Sequence, residues 1–146
     1  MKLLAVLALF AFGIARLAVA AEAPPNDAYL LDHAKMADAF AKALPLVANS
    51  SYKIQAGHRV MAGIPEVHEH DTDILYVIEG AATFVTGGNV VEPKTSGPGE
   101  VRGKEIQGGV ARQLTKGDVM VIPSGVPHWF KEVNGTINYF VVKVTK

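Results

Sequence analysis

The sequence predicts an all-β fold, a closed or sandwiched antiparallel barrel with one amphipathic helix in front of it. Three observations carry that expectation. From Tyr52 onward, apolar and polar residues alternate with period two. Glycine, proline and Asn-Gly turn signals recur between these short runs. The one stripe with helical spacing, at Met36, Phe40 and Leu44, lies ahead of all of them.

The first element is not part of the fold. Met1 and Lys2 precede an apolar and small run from Leu3 to Ala15, and Ala18-Val19-Ala20 offers an A-x-A cleavage site. This pattern predicts a secretory signal peptide over 1–20 and a periplasmic or secreted protein. A membrane anchor is the rival reading, but the 13 residues of that run fall short of the ~20 that a spanning helix needs. After cleavage no membrane contact is expected. About 125 residues remain, enough for one domain with a modest core.

Residues 21–50 are expected to form an N-terminal segment with the helix. Small and polar residues lead to a start near Asp27 or Asp32, and the stripe ends at Pro45. The helix is expected to pack against the barrel or a second subunit, with His33 in solvent. Residues 51–146 are the expected barrel domain. Tyr52, Ile54, Ala56, His58 and Val60 share one strand face, with Arg59 on the other. His58 there reads as a hydrogen-bonded core residue. Asp73–Glu79 and Ala81–Thr86 read as strands on either side of Gly80. Residues 87–109 hold seven glycines with Pro93 and Pro98, so they read as a long loop or irregular hairpin, and its place suggests a lid. Val110–Leu114, Asp118–Ile122, His128–Val133 and Ile137–Val144 complete the strands, the last two joined by an Asn134-Gly135 hairpin turn.

Composition removes several function classes. The chain has 14 basic and 14 acidic residues, and the leader holds two of the basic ones, so no basic face is available for nucleic acid or an anionic membrane. It has no cysteine. Disulfides and thiolate chemistry are therefore excluded, and a metal site must use nitrogen and oxygen ligands.

Such ligands are present. His68 and His70, two residues apart on a strand, would turn two imidazoles to one face. Alone the pair is weak, because histidine serves many roles. Around it, Val67-His68-Glu69-His70-Asp71-Thr72-Asp73 runs into a strand ending at Gly80, while Gly117, Pro123, Gly125 and His128 follow a G-x5-P-x-G-x2-H spacing. These two patterns resemble the paired motifs of the cupin family, over Gly63–Glu132. The family's second motif ends in Asn where this chain has Glu132, and its first has Glu where this chain has Asp73, with only two residues between it and His70.

The resemblance implies an antiparallel double-stranded β-helix, or jelly-roll, barrel. It also implies one divalent transition metal ion, Zn, Fe, Mn, Ni or Cu, held by His68, His70 and His128, with Asp73 as the fourth ligand directly or through water. Glu66 is a rival carboxylate on the same face as His68 and His70, either a catalytic base or a solvated rim residue. Glu69 and Asp71 are expected to face solvent. Tyr76, Phe84, Met120 and Phe130 read as core, and Trp129 as packing on the outer sheet or at a dimer contact. Arg59, Arg102 or Arg112 could bind a carboxylate at the mouth.

Three functions compete. The first is a metal-dependent dioxygenase, isomerase or lyase acting on a small oxygenated molecule, with Asp73 or Glu66 moving a proton. The second is a non-catalytic barrel that binds a small molecule or a metal. The third is a stress or storage protein that uses the barrel only as a stable oligomer. A homodimer is the expectation from the family likeness.

Overall fold

The computed structural model describes residues 21–22 and 27–146, so the expected leader over 1–20 lies outside the described residues. Among the described residues the chain forms one helix, α1 (His33–Lys42), and a series of strands. These are β1 (Ala21–Glu22), β2 (Pro45–Ala48), β3 (Tyr52–Arg59), β4 (Glu66–His68), β5 (Asp71–Thr86) and β6 (Asn89–Val91). They continue with β7 (Lys94–Gly97), β8 (Glu100–Arg102), β9 (Glu105–Gln107), β10 (Val110–Thr115), β11 (Val119–Ile122) and β12 (His128–Thr145).

Most strands belong to one curled sheet in the order β1-β2-β3-β12-β4-β8-β7, with β5 paired to β10, β11 and β12, while β6 and β9 pair separately. Every pairing is antiparallel except the parallel one of β1 with β2. The long strands β5 and β12 form the spine.

β12 is continuous where a hairpin was expected at Asn134-Gly135. Both of its halves pair with β5, and the register shifts between Val133 and Ile137. A hairpin would have sent the second half to a new neighbour. Instead the extra residues bulge, and Gly135 takes the positive φ of 76° that a bulge accepts as readily as a turn does. Gly80 sits opposite on β5 with φ 84°, and a Cβ there would lie 1.8 Å from the Thr136 carbonyl oxygen. Only glycine allows the two spine strands to approach at this bend.

Residues 87–109 differ from the expected long loop. Their glycines punctuate β6, β7, β8 and β9, and β8 pairs with β4 while β7 extends that edge. The segment is a folded extension of the sheet beside the site.

Two apolar clusters hold the molecule. Inside the curl lie Leu75, Val77, Ala82, Phe84, Leu114, Ile122, Phe130, Ile137, Tyr139 and Val141. Phe84 meets Phe130 edge-on at 4.7 Å, and Phe130 meets Tyr139 at 4.9 Å. Outside, Met36, Phe40 and Leu44 from the helical stripe pack with Ala39 against Leu46, Val47, Ile54, Ala56 and Phe140. Asp32 caps α1 by accepting from the Lys35 amide at 2.9 Å. Tyr76, expected in the core, is instead 47% exposed on the outer face of β5.

The face of β3 is the main surprise. Its apolar even residues, Ile54 and Ala56, lie under α1, whereas the odd residues Gln55 and Arg59 line the interior cavity. Alternation shows which residues share a face, but the position of α1 decides which face is the outside.

Candidate metal centre

β4 supplies Glu66 and His68 from one side of the strand, and β12 opens with His128 in register with Glu66. Ligand atoms of these three residues all lie within 4.8 Å of one another. The rings of His68 and His128 stand 5.0 Å apart at an angle of 52°. Asp73, from β5, brings Oδ2 to 3.5 Å from His68 Nε2 and 3.9 Å from His128 Nε2. His68, His128 and Asp73 are all buried.

The orientation of the two imidazoles matters more than their distance. His68 Nδ1 faces both Glu100 oxygens at 2.9 Å, and an ionised carboxylate can only accept, so Nδ1 carries the ring proton. His128 Nδ1 donates to the Val126 carbonyl at 3.1 Å. In each ring the lone pair is therefore on Nε2, directed toward the cluster, which is the arrangement that outer hydrogen bonds give to metal-binding histidines. Burial pushes the pKa of His128 below its usual value, against the Val126 carbonyl and Asp73, so the ring is neutral and able to ligate near neutral pH. Two imidazoles and a carboxylate fit a borderline divalent ion.

The carboxylates are tightly paired. Arg102 reaches Glu66 at 3.3 Å and Glu100 at 3.0 Å, and Arg59 reaches Glu66 at 3.5 Å. Arg59 also donates to the Tyr139 hydroxyl at 3.0 Å and lies 4.9 Å above the Phe130 ring. Tyr139 lies over Gly57, where a Cβ would come within 2.2 Å of its ring. Burial raises the Tyr139 pKa even though the neighbouring Arg59 opposes this, so the phenol stays protonated. Lys143 Nζ completes the cluster, 2.8 Å from His68 Nε2 and 2.8 and 2.7 Å from the two Asp73 oxygens.

These groups open into a cavity of about 100 Å³. Gln55, Arg59, Glu66, Asp73, His128 and Lys143 supply its polar wall, and Leu75, Phe84, Ile122 and Phe130 its apolar wall.

The family model described as Cupin matches residues 23–146. This chain belongs to the cupin family. No curated protein matches it. Among solved structures, this cupin is similar to a protein from Bacillus halodurans, with a TM-score of 0.58 and 13% identity over 84% of this chain and 83% of that one. It is also similar to the cupin domain of Cnp3 from Schizosaccharomyces pombe, with a TM-score of 0.52 and 9% identity over 71% and 60% of the two chains. A third similar structure is FeII HppE, with a TM-score of 0.52 and 17% identity over 69% of this chain and 49% of that one. At these identities the likeness shows the shared fold.

Of the residues singled out from the sequence, this cupin brings together Glu66, His68, Asp73 and His128. It does not bring His70. Strand β4 ends at His68, so the two-residue alternation stops there; His70 is exposed, and its ring lies against Gly99. Asp71 is buried, not in solvent, where it accepts from Lys53 at 2.8 Å and from Thr145 at 2.7 Å. Burial alone would raise its pKa, but those two hydrogen bonds and the Lys53 and Lys143 charges outweigh it and bring the carboxyl below the usual range. Trp129 lines the cavity and donates to the Gly63 carbonyl at 2.8 Å. His58 is half-buried and bonds Asn138 at 2.7 Å. Arg112 is bonded to Thr86.

Two members of the centre escaped the sequence reading. Glu100 lies in the glycine-rich segment and reaches His68 only because β8 pairs with β4, with Glu100 directly opposite His68. Lys143 lies far along β12 and reaches Asp73 through the β12–β5 register. No spacing rule marks Glu100. The alternation of Tyr139, Val141 and Lys143 was the available signal, since it places a lysine on the face of two buried residues.

Proposed function

We propose that this cupin is a metal-dependent enzyme that acts on a small oxygenated molecule, with Glu66, His68 and His128 as protein ligands to one divalent transition metal ion. The observation that carries this reading is the pair of Nε2 lone pairs, both fixed by hydrogen bonds at Nδ1 and both turned into the cluster that holds Glu66 and Asp73. When bound, the ion would act as a Lewis acid on a substrate oxygen.

The chain's own groups would do the rest. The Arg59 guanidinium and the Gln55 amide line the same cavity and would orient polar oxygens of the substrate. Phe84, Phe130 and Ile122 exclude water from the inner wall. Asp73, on the cavity wall beside both histidines, is placed to accept or return a proton. The similar FeII HppE structure makes iron the first metal to try for a dioxygenase reaction. Export across a membrane, supported by the leader pattern, and a homodimer, supported by family likeness, belong to the same proposal.

Metal analysis of the natively exported protein, with His128→Ala alongside, tests the site. A stoichiometric metal in the parent, lost in the variant, is the expected result. Absence of metal in both, with no thermal shift on adding Zn, Fe, Mn, Ni or Cu, overturns the reading. Iron binding without oxygen uptake across catechols, keto acids and thiols would remove the dioxygenase branch and leave the isomerase and lyase branches.

A further inference from the structure

Lys143 enters the centre from β12, where the register sets it beside Asp73 of β5 on one side and Lys53 of β3 on the other. The two lysines separate their charges by turning to different carboxylates. Lys53 reaches Asp71, and Lys143 reaches Asp73 and His68. The Lys143 side chain is only 12% exposed.

His68 makes this contact exclusive. Glu100 holds the ring proton on Nδ1, so Nε2 has a single lone pair to offer. An ammonium can only donate, and at 2.8 Å Lys143 takes that lone pair. A metal ion bound through His68 needs the same electrons from about 2.0–2.1 Å. The two cannot occupy the atom together.

Charge leads to the same conclusion. Glu66, Asp73 and Glu100 face Arg59, Arg102 and Lys143, so carboxylates and cations already balance before any ion arrives. Adding a divalent ion to that set would leave two positive charges without partners in a buried place. Arg59 is anchored outside the cluster by the Tyr139 hydroxyl and the Phe130 ring, and Arg102 by the Val101 carbonyl. Among the described residues, Lys143 bonds only to His68 and Asp73. Its flexible four-carbon stem can swing while β12 stays paired on both sides.

We infer that Lys143 is a tethered counter-cation that fills the centre ahead of the metal, and that an ion must displace it from His68 to bind, so that Lys143 sets the metal affinity of the site. The inference rests on reading Glu66, His68 and His128 as the metal ligands.

The test is calorimetric titration of the metal-stripped full chain with zinc, comparing the parent with Lys143→Met. Methionine keeps most of the unbranched stem and loses the charge, and the variant is expected to bind zinc at least about 10-fold more tightly. Because Lys143→Met leaves Asp73 buried without its partner, a second variant combines it with Asp73→Asn and keeps the centre's net charge. That variant is also expected to bind zinc more tightly than the parent. If the parent binds zinc and the folded variants bind it equally or more weakly, the inference falls while the metal site stands. If neither parent nor variants bind zinc, the metal reading fails and takes the inference with it.

Discussion

The two faces of β3 are buried in opposite ways. Ile54 and Ala56 meet the underside of α1 in an apolar cluster. From the alternate positions of the same strand, Gln55 and Arg59 join an interior where Phe84 and Phe130 sit beside Glu66, Asp73, His128 and Lys143. Burying apolar surface stabilises the first face with no requirement for partners. The second buries charge, which is tolerated only while each ion keeps its counter-ion. Among the described residues no buried side-chain nitrogen or oxygen lacks a hydrogen-bond partner, and Arg59 pairs with Glu66 and Lys143 with Asp73. The contrast teaches that the helix-covered face serves stability alone and the interior face couples stability to chemistry.

The largest effects should come from the interior. Phe84→Ala removes a side chain that is 1% exposed, at the junction of the aromatic wall and His128. It should cost about 3–5 kcal/mol in urea unfolding. Asp73→Ala should cost a similar ~3–5 kcal/mol, because it strands the Lys143 ammonium. Adding Lys143→Met to it should restore much of that loss. If Asp73→Ala costs no more than a surface substitution, the interior charges are not coupled to stability and the contrast breaks.

Glu100→Gln tests whether the sheet extension contributes to the centre or only to the fold. Losing the carboxylate on His68 Nδ1 should weaken metal binding roughly 10- to 100-fold with a smaller effect on stability. Competition with a chromophoric chelator reads the affinity directly. An unchanged affinity would reduce β8 to a structural edge.

A smaller effect is expected from pH. The pKa of His128 is held below its ordinary 6.5 by burial, so the unfolded chain binds more protons than the folded one between the two values. Stability of the metal-free protein is therefore complete above about 6.5 and is lost as pH falls through the folded value. Unfolding in urea at a series of pH values should show that loss, and His128→Phe should flatten it. The smallest effect belongs to the other face. Asp32→Ala removes the α1 cap and should lower the urea midpoint slightly while leaving metal binding unchanged.

Much of the centre was legible in the sequence. The Gly117, Pro123, Gly125 and His128 spacing gave the second histidine ligand of the proposed site, and His68 came from the H-x-H pair. His70 did not join them, because a two-residue rule holds only while the strand continues, and β4 stops at His68. Glu66 was visible as a rival carboxylate on the same face, and it became the third member of the cluster. Glycines in 87–109 read as a loop, since the same residues that break regular structure also separate very short strands.

By itself the sequence determined which side chains share a face within a continuous strand, and that any metal would meet only nitrogen and oxygen. Those are local properties, set by a period of two along each strand and by the chemistry of single residues. Only the tertiary structure decided which face of β3 is the inside, which strand Glu100 lies against, and that Lys143 meets Asp73 and His68. Each of these depends on pairing between segments far apart in the chain. A strand's own pattern says nothing of its neighbour's register, so the balance of charge around His68 appears only when β4, β5, β8 and β12 close on one another.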